Sequence, residues 1–209
     1  MKKELVVALR MTVATLVLTG LGYPLLVTAA SQVLFPWRAN GSVVSAQGRV
    51  VGSELIGQGF QSPAYFQSRP SAAGADGYDA ANSAGSNLGP TSQKLRDRVA
   101  ADVARLRSEN PQAPAEVPIE LVTTSASGFD PHLSPEAARW QVPRVASARG
   151  VAVGDVGALV GARTEERSFG FLGEPRVNVL LLNLDLDQRY GPPAPPPAAV
   201  TPASRGASR

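Results

Sequence analysis

The chain has 209 residues, a formal net charge of +3, no cysteine and a single histidine, His132. The lack of cysteine excludes disulfides and thiolate metal sites, and one histidine excludes a zinc site built on several histidines. Of the 20 basic and 17 acidic side chains, four and one lie in residues 1–38, so residues 39–209 carry 16 of each. That balance leaves no concentrated basic segment of the kind nucleic-acid binders use, so we expect no nucleic-acid partner.

The first element is an uncharged segment, Met11–Pro36, whose 26 residues are enough to cross a bilayer as a helix. More basic side chains precede it than follow it, namely Lys2, Lys3 and Arg10 before and Arg38 and Arg49 after. This bias favours a cytoplasmic N-terminus. We therefore expect a single-pass protein of the cell inner membrane, with a cytoplasmic segment at 1–10, a transmembrane helix at 11–36 and an extracytoplasmic domain at 37–190.

A cleaved signal peptide is the alternative for this segment. Val27-Thr28-Ala29 is a passable cleavage site. The apolar region of a signal peptide, however, is usually only about 7–15 residues long. Cleavage would leave a periplasmic interaction module in place of an anchored domain.

Short strands are predicted after the span, at 42–44 and 49–51, and residues 54–58 could continue the second of them. Residues 67–91 show no periodic pattern and form a long irregular segment. An ordered loop of that length inside a compact domain is usually functional.

Two longer helices and a shorter one are predicted further along the chain. The first spans 92–108, because four apolar side chains recur at helical spacing and Thr91 or Ser92 can cap its start. The second spans 135–149 with Ser134 as its cap, and Pro143 divides it into two short helices or kinks one helix. A further short helix is predicted at 155–162.

Two apolar segments, 119–123 and 177–186, are predicted to be strands, the second a central one. Strands and helices in irregular order predict the α+β fold class, with one N-terminal transmembrane helix followed by a small mixed extracytoplasmic domain. The proline-rich segment 191–209 is predicted to be a disordered tail.

His132 is the histidine on which a serine–histidine hydrolase would depend. Asp130 and several serines lie close to it in sequence, but such near neighbours rarely reach the geometry in which imidazole bonds the nucleophile and the acid. The sequence contains neither a phosphate-binding loop nor a nucleophile elbow. A membrane-anchored extracytoplasmic hydrolase is therefore kept as the alternative function, and a turn or surface role is favoured for His132.

An ordered set of polar and glycine-containing motifs runs from about residue 5 to residue 187. It comprises Tyr23-Pro24, Gly57-Gln58, Tyr65-Phe66, Arg69-Pro70-Ser71-Ala72, Tyr78-Asp79, Asn82-Ser83, Gly85-Ser86-Asn87-Leu88-Gly89-Pro90-Thr91, Ser125-Ala126-Ser127-Gly128, Asp130-Pro131-His132, Gln141, Pro143-Arg144-Val145-Ala146 and Gly173-Glu174-Pro175-Arg176. No single motif is decisive, but the ordered set is specific. The chain resembles the C subunit of the Kdp potassium-transporting ATPase, the bacterial high-affinity potassium pump.

This resemblance implies a non-catalytic accessory subunit in a membrane complex. One partner conducts potassium, the transported ion, and another, a P-type subunit, hydrolyses ATP. The C subunit is described as a catalytic chaperone that raises the ATP affinity of the hydrolysing subunit, an effect linked to a glutamine. Gln141 is the candidate for that glutamine here, and Gln58 is the second.

The predicted topology conflicts with a direct contact to nucleotide, because ATP is cytoplasmic and a single span leaves Gln141 outside. An indirect effect, in which the subunit favours the pump state that binds ATP well, is physically easier. The loops at 69–91 and 123–134 either cap the outer mouth of the potassium-conducting subunit or only set their own turn geometry. The candidate interface residues are Arg69, Tyr78, Asp79, Asn82, Ser86, Asn87, Ser125, Ser127, Asp130, Arg144, Glu174 and Arg176.

Overall fold

The computed structural model describes residues 1–75 and 77–193, and the chain divides into two compact units, one of residues 1–55 and one from residue 56 onward. The first unit is dominated by an apolar helix of 33 residues, Lys2–Leu34, which is long and apolar enough to cross a membrane. It consists of α1 (Lys2–Thr15), a π-helical segment (Leu16–Gly22) and α2 (Tyr23–Leu34). The helix thus begins before the predicted span and ends just short of Pro36, which opens the short α3 (Pro36–Ala39).

The π-helical segment lies where the sequence weakens a regular helix. Pro24 has no N–H to donate to the carbonyl four residues earlier, so the α-helical ladder is interrupted there. The hydroxyl of Thr19 donates to the carbonyl of Thr15 at 2.8 Å. Such insertions are often found at functional positions of helices.

An antiparallel hairpin completes the first unit. Strands β1 (Val43–Ala46) and β2 (Arg49–Ser53) pair from Val43 opposite Ser53 to Ala46 opposite Arg49, which confirms the two predicted strands. The predicted continuation through 54–58 is wrong. The hydroxyl of Ser53 accepts from the amide of Leu55 at 3.1 Å and turns the chain away from the strand direction.

The core of the second unit lies between three helices and a small antiparallel sheet. The helices are α5 (Pro135–Arg149), α6 (Val153–Ala162) and α7 (Val179–Tyr190). The sheet has the order β3 (His132–Leu133), β5 (Arg176–Asn178), β4 (Thr164–Glu165). The fully buried apolar side chains between them are Phe66, Leu133, Val145, Val156, Val160, Val177, Leu182 and Leu186.

The predicted helices are confirmed where local signals are strong. Helix α4 (Gln93–Glu109) begins after Ser92, whose hydroxyl accepts from the amide of Leu95. Helix α5 begins after Ser134, whose hydroxyl accepts from the amide of Ala137 at 3.1 Å. Helix α5 stays continuous through Pro143, so it is one helix and not two.

Of the two strands predicted in the later half, the first is wrong and the second is right only at its start, where residues 177 and 178 belong to β5, the central strand of the sheet. Residues Ile119–Leu121 form a 3₁₀ turn, in which the carbonyl of Ile119 accepts from the amides of Val122 and Thr123. In the second segment only β5 is extended, and the carboxamide of Asn178 caps α7 by accepting from the amide of Leu181 at 3.2 Å. Six of the eight positions in 179–186 are apolar, which hid the helical period of this part of α7.

The result is a mixed helix and sheet structure with one N-terminal apolar helix, which confirms the predicted fold class at that level. Of the predicted disordered tail, Gly191, Pro192 and Pro193 have irregular backbone. The rest of that prediction, residues 194–209, lies outside the described residues.

Candidate functional site

The segment Pro63–Gln67 is irregular, yet its backbone is held by side chains of α5 and α7. The carboxamide of Gln141 accepts from the amide of Gln67 and donates to the carbonyl of Gln67, both at 2.9 Å. Asn183 does the same for Phe66, accepting at 2.8 Å and donating at 2.9 Å. Two neighbouring residues therefore receive from side chains the bonds that a partner strand would supply.

Two arginines of α5 complete this arrangement. Arg144 donates to the carbonyls of Pro63 at 2.5 Å and Tyr65 at 3.1 Å, and to Oε1 of Gln141 at 2.7 Å. Arg149 donates to the carbonyl of Ala64 at 2.7 Å. We call the four side chains that hold Pro63–Gln67 the polar clamp: Gln141, Arg144, Arg149 and Asn183.

The clamp is buried, and burial sets its electrostatics. Gln141 is 2% exposed and Arg144 is 8% exposed. Burial lowers the pKa of Arg144 to about 10, which still leaves the guanidinium charged at neutral pH. Every bond of the Gln141 carboxamide described above goes to Gln67 or Arg144, so a ligand could reach this side chain only by displacing them.

A cleft of about 230 Å³ adjoins the clamp between α4, α5 and the segment around Pro63. Its lining includes Asn110 and Arg144. The Nδ2 of Asn110 donates to the carbonyl of Trp140 at 2.6 Å. Arg144, which lines this cleft, donates from Nη2 to Oε1 of Gln141, so Gln141 is one contact away from the cleft.

Gln58, the second candidate glutamine, lies apart from these bonds. Its backbone carbonyl accepts from the hydroxyl of Ser68 at 2.9 Å, one residue beyond the clamped segment. Gln58 therefore contacts Ser68 through its backbone, whereas Gln141 binds the neighbouring Gln67 through its side chain.

The loops at 69–91 and 123–134 bind each other directly. The amide of Ala72 donates to the carbonyl of Ser125, and the amide of Ser125 donates to the carbonyl of Pro70, both at 2.7 Å. Arg69 forms an ion pair with Asp130 at 2.9 Å, and the hydroxyl of Ser83 donates to the carbonyl of Ser127 at 2.6 Å. The structure therefore places candidate residues of both loops on one surface, which we call the loop surface: Arg69, Ser125, Ser127 and Asp130.

The remaining loop candidates support turns of this surface or face solvent. The hydroxyl of Tyr78 donates to the carbonyl of Arg69 at 2.9 Å. Asn82 donates to the carboxylate of Asp79 at 2.6 Å, which together with the amide of Ala81 lowers the pKa of Asp79. Ser86 and Asn87 are exposed.

Glu174 and Arg176 lie elsewhere, at the base of the hairpin that joins β4 and β5. Arg176 pairs with Glu165 at 2.9 Å, and Glu174 pairs with Arg167. The predicted interface residues therefore occupy three places: the loop surface, the clamp with Arg144, and this hairpin.

The residues around His132 form a turn and not a triad. Asp130 binds Arg69 through Oδ2, and its Oδ1 accepts from the backbone amide of His132 at 3.3 Å. Burial, followed by the charge of Arg176, lowers the pKa of His132. Within the described part of the chain no three His, Asp or Glu side chains are grouped so that they could hold a metal ion.

Comparison with known proteins gives the chain its family. The family model "KdpC: K+-transporting ATPase, c chain" matches residues 5–188. A protein of Myxococcus xanthus named "Potassium-transporting ATPase KdpC subunit" is 68% identical over 186 residues, 88% of each chain. Relatives of the same name share 56% over 195 residues in Koribacter versatilis (93% of this chain, all of the relative) and 54% over 198 residues in Rhodopseudomonas palustris strain TIE-1 (90% and 98%).

The chain belongs to the KdpC family. The resemblance drawn from the ordered motifs is confirmed. As a KdpC subunit, the chain is one part of a membrane-associated P-type ATPase complex that transports potassium, and other subunits of that complex are implied.

Sequence reasoning named two of the four clamp residues, Gln141 and Arg144, as candidates, but it did not predict the clamp that they form with Arg149 and Asn183. Asn183 carried a signal, because it is a polar residue inside the apolar segment 179–186. A buried carboxamide in such a position needs hydrogen-bond partners, and here they are the backbone atoms of Phe66. Tyr65 belongs to one of the motifs that carry the resemblance, but nothing in the sequence pointed to its contacts with Arg149 and Asp187.

The ion pair beside the clamp gives a pH dependence. Arg149 binds Asp187 at 2.8 Å, and the hydroxyl of Tyr65 donates to the same carboxylate at 2.6 Å. Burial and the Asp187 carboxylate raise the pKa of Tyr65 from 10.0 to about 12. Between these values the unfolded chain releases the phenolic proton and the folded chain keeps it, so stability present below pH 10 is lost as the pH rises towards 12.

We therefore expect Tyr65→Phe to lower the free energy of unfolding by about 1 kcal/mol at pH 8, and the difference from the wild type to vanish as the pH approaches 12. Urea unfolding of the full chain in detergent, followed by far-ultraviolet circular dichroism across this pH range, measures it. Tyr190→Phe is the control, because it leaves the Tyr65–Asp187 pair in place. A difference that stays constant with pH would contradict the prediction.

Proposed function

We propose that this chain is a non-catalytic accessory subunit of the pump that raises the ATP affinity of the hydrolysing subunit without touching the nucleotide. The observation that carries the proposal is the burial of Gln141, whose carboxamide is occupied by the backbone of Gln67 and by Arg144. A side chain held in this way supports a fold and does not present itself to a ligand. Gln141, and Gln58 through Ser68, act by fixing the clamped segment.

The membrane topology supports an indirect route. Residues 1–10 lie in the cytoplasm, one helix crosses the cell inner membrane at residues 11–36, and the domain at 37–190 is extracytoplasmic. The basis is the excess of Lys2, Lys3 and Arg10 before the apolar segment. ATP is then on the other side of the membrane from the clamp.

Coupling across the membrane requires a difference in binding between two pump states. The subunit favours the state of the complex that binds ATP well, and ATP in return favours attachment of the subunit. Couplings of this kind are commonly about 1–3 kcal/mol, which is about 5- to 150-fold in affinity.

The loop surface is the part of the domain that meets the potassium-conducting subunit. Its two loops are tied together by backbone hydrogen bonds and by the Arg69–Asp130 pair. They present Asn82, Ser86 and Asn87 to solvent. A preformed polar surface of this kind can cap the outer mouth of a partner with little loss of conformational freedom.

The test is the ATP dependence of hydrolysis by the intact pump, purified with and without this subunit. We expect the ATP concentration at half-maximal rate to rise at least about fivefold when the subunit is absent, and to return when the purified full chain is added back. Equal values with and without the subunit would contradict the proposal.

The indirect route has a separate test. A photoreactive ATP analogue bound to the complete pump should label the hydrolysing subunit and leave this chain unlabelled. Labelling of this chain at or near Gln141 would show direct contact and overturn the indirect route.

A further inference from the structure

The hairpin between β4 and β5 projects from the second unit with an ordered backbone. Ser168 and Leu172 exchange both backbone hydrogen bonds at 2.9 Å. Below them Arg167 pairs with Glu174, and Arg176 pairs with Glu165. Residues 165–174 are all exposed, so little of this order comes from packing on the core.

The tip of this hairpin is apolar. Phe169 is 88% exposed, Phe171 is 71% exposed and Leu172 is 50% exposed. Exposed single apolar residues are common, but two phenylalanines and a leucine within four positions make a contiguous apolar tip. We call Phe169, Phe171 and Leu172 the apolar tip.

The backbone of Phe169 is unusual for its residue type. Phe169 and Gly170 have φ values of +55° and +80°, and the amide of Phe171 donates to the carbonyl of Ser168 at 3.3 Å. Two successive positive φ values are those of a tight hairpin turn, where asparagine followed by glycine is preferred. A phenylalanine in the left-handed region is a true outlier, so local stability does not explain its presence.

The geometry points to the apolar tip as an anchor that inserts into an apolar pocket on another subunit of the pump. An aromatic residue on a preformed turn loses little backbone freedom on docking, and aromatic residues are the usual anchors of protein interfaces. The paired charges of Arg167, Glu174, Arg176 and Glu165 surround the tip as the polar rim of such an interface does. The pump complex to which KdpC subunits belong supplies the partner.

A protein pocket fits these observations better than a lipid surface. Segments that lie on anionic membranes carry an excess of Lys and Arg, whereas residues 165–176 carry two arginines and three glutamates. A loop that inserts into lipid also does not require an aromatic residue in a disfavoured backbone conformation such as that of Phe169. This inference rests on membership of the pump and not on the proposed effect on ATP, so either can fail without the other.

The first test removes the two rings and keeps the turn. In the variant Phe169→Asn with Phe171→Ser, asparagine suits the turn, so the melting temperature should not fall. With the affinity tag on another pump subunit, we expect the amount of this chain retained after a detergent wash to drop at least about tenfold. The matched control is Ile119→Ser, another exposed apolar residue of the same unit at 76% exposure, which should be retained as the wild type is.

A second test reads the contact directly and does not depend on stability. Because the chain has no cysteine, Phe171→Cys gives a single attachment point for a benzophenone maleimide. The labelled full chain, added to pump lacking it and illuminated, should form a covalent adduct with one pump subunit, whereas Ile119→Cys should not. Undiminished retention of the double variant, or an adduct with lipid alone, overturns the inference.

Discussion

Replacing Gln141 with leucine should lower the free energy of unfolding by about 3 kcal/mol. The substitution keeps the size of the side chain but removes three hydrogen bonds, two to the backbone of Gln67 and one from Arg144. Each partner left unsatisfied in a buried place costs about 1–3 kcal/mol, and the charged guanidinium lies at the upper end of that range. Part of the cost is relieved because Gln67 is only half-buried.

Urea unfolding of the full chain in detergent measures this effect, with the near-ultraviolet signal of the buried Trp140 as the probe of the core. The matched control is Gln93→Leu, because Gln93 is exposed and its carboxamide binds only Asp97 on the surface of α4. We expect the control to change stability by less than about 0.5 kcal/mol. An unchanged unfolding curve for Gln141→Leu would remove the structural role that we assign to this side chain.

The expected loss of stability in Gln141→Leu affects how a loss of ATP affinity in the same variant is interpreted. A loss of ATP affinity in Gln141→Leu pump does not by itself indicate a nucleotide contact, because the clamped segment is loosened at the same time. The variant that separates the two causes is Asn183→Leu, which removes the equivalent pair of hydrogen bonds to the backbone of Phe66. Equal loss of ATP affinity in both variants is expected for the indirect route.

Replacing Gly128 with alanine should destabilise the loop surface by about 3 kcal/mol. Gly128 has a φ of +72°, which an alanine adopts only with strain. A Cβ there would lie 2.9 Å from the Cβ of Ala73 and 3.0 Å from the carbonyl carbon and oxygen of Asp79. Overpacking against backbone atoms adds about 1–3 kcal/mol to the conformational strain.

Hydrogen exchange localises this effect. The amides of Ala72 and Ser125, which bond across the two loops, should exchange faster in Gly128→Ala, while the amides of α5 keep their protection. The matched control is Gly89→Ala, since nothing lies within 4 Å of the position that its Cβ would take. Unchanged exchange at Ala72 and Ser125 would show that the loops are held together by something other than this close approach.

The parts of the fold that sequence reasoning could predict are those with local signals. Ser92 and Ser134 are helix caps that act within three residues, so α4 and α5 could be located from the sequence. In the first part of α7 the apolar side chains are too dense to show a helical period, so the segment was predicted to be a strand. The local signal for a helix was its cap, Asn178. The apolar segment at Ile119 was predicted to be a strand, but no strand of the described sheets pairs with it.

The candidate site could be predicted only in part, for the same reason. The motif residues of both loops carry the resemblance, and the structure brings the two loops together through contacts that the sequence did not predict. The clamp could not be predicted, because its partners are distant in sequence and are matched atom by atom. The interface role of the loops and the role of the two glutamines in ATP affinity stay predictions.

The clamp also dictates when the domain can be completed during synthesis. Phe66 is bonded by a residue 117 positions later in the chain, and Gln67 by one 74 positions later. At a synthesis rate of about 5–20 residues per second, the backbone of Phe66 waits on the order of ten seconds for Asn183. Until α7 emerges Phe66 lacks both hydrogen bonds to Asn183, although α5 already holds Gln67 through Gln141. We therefore expect a chain truncated before residue 183 to be more open to proteases than the full chain.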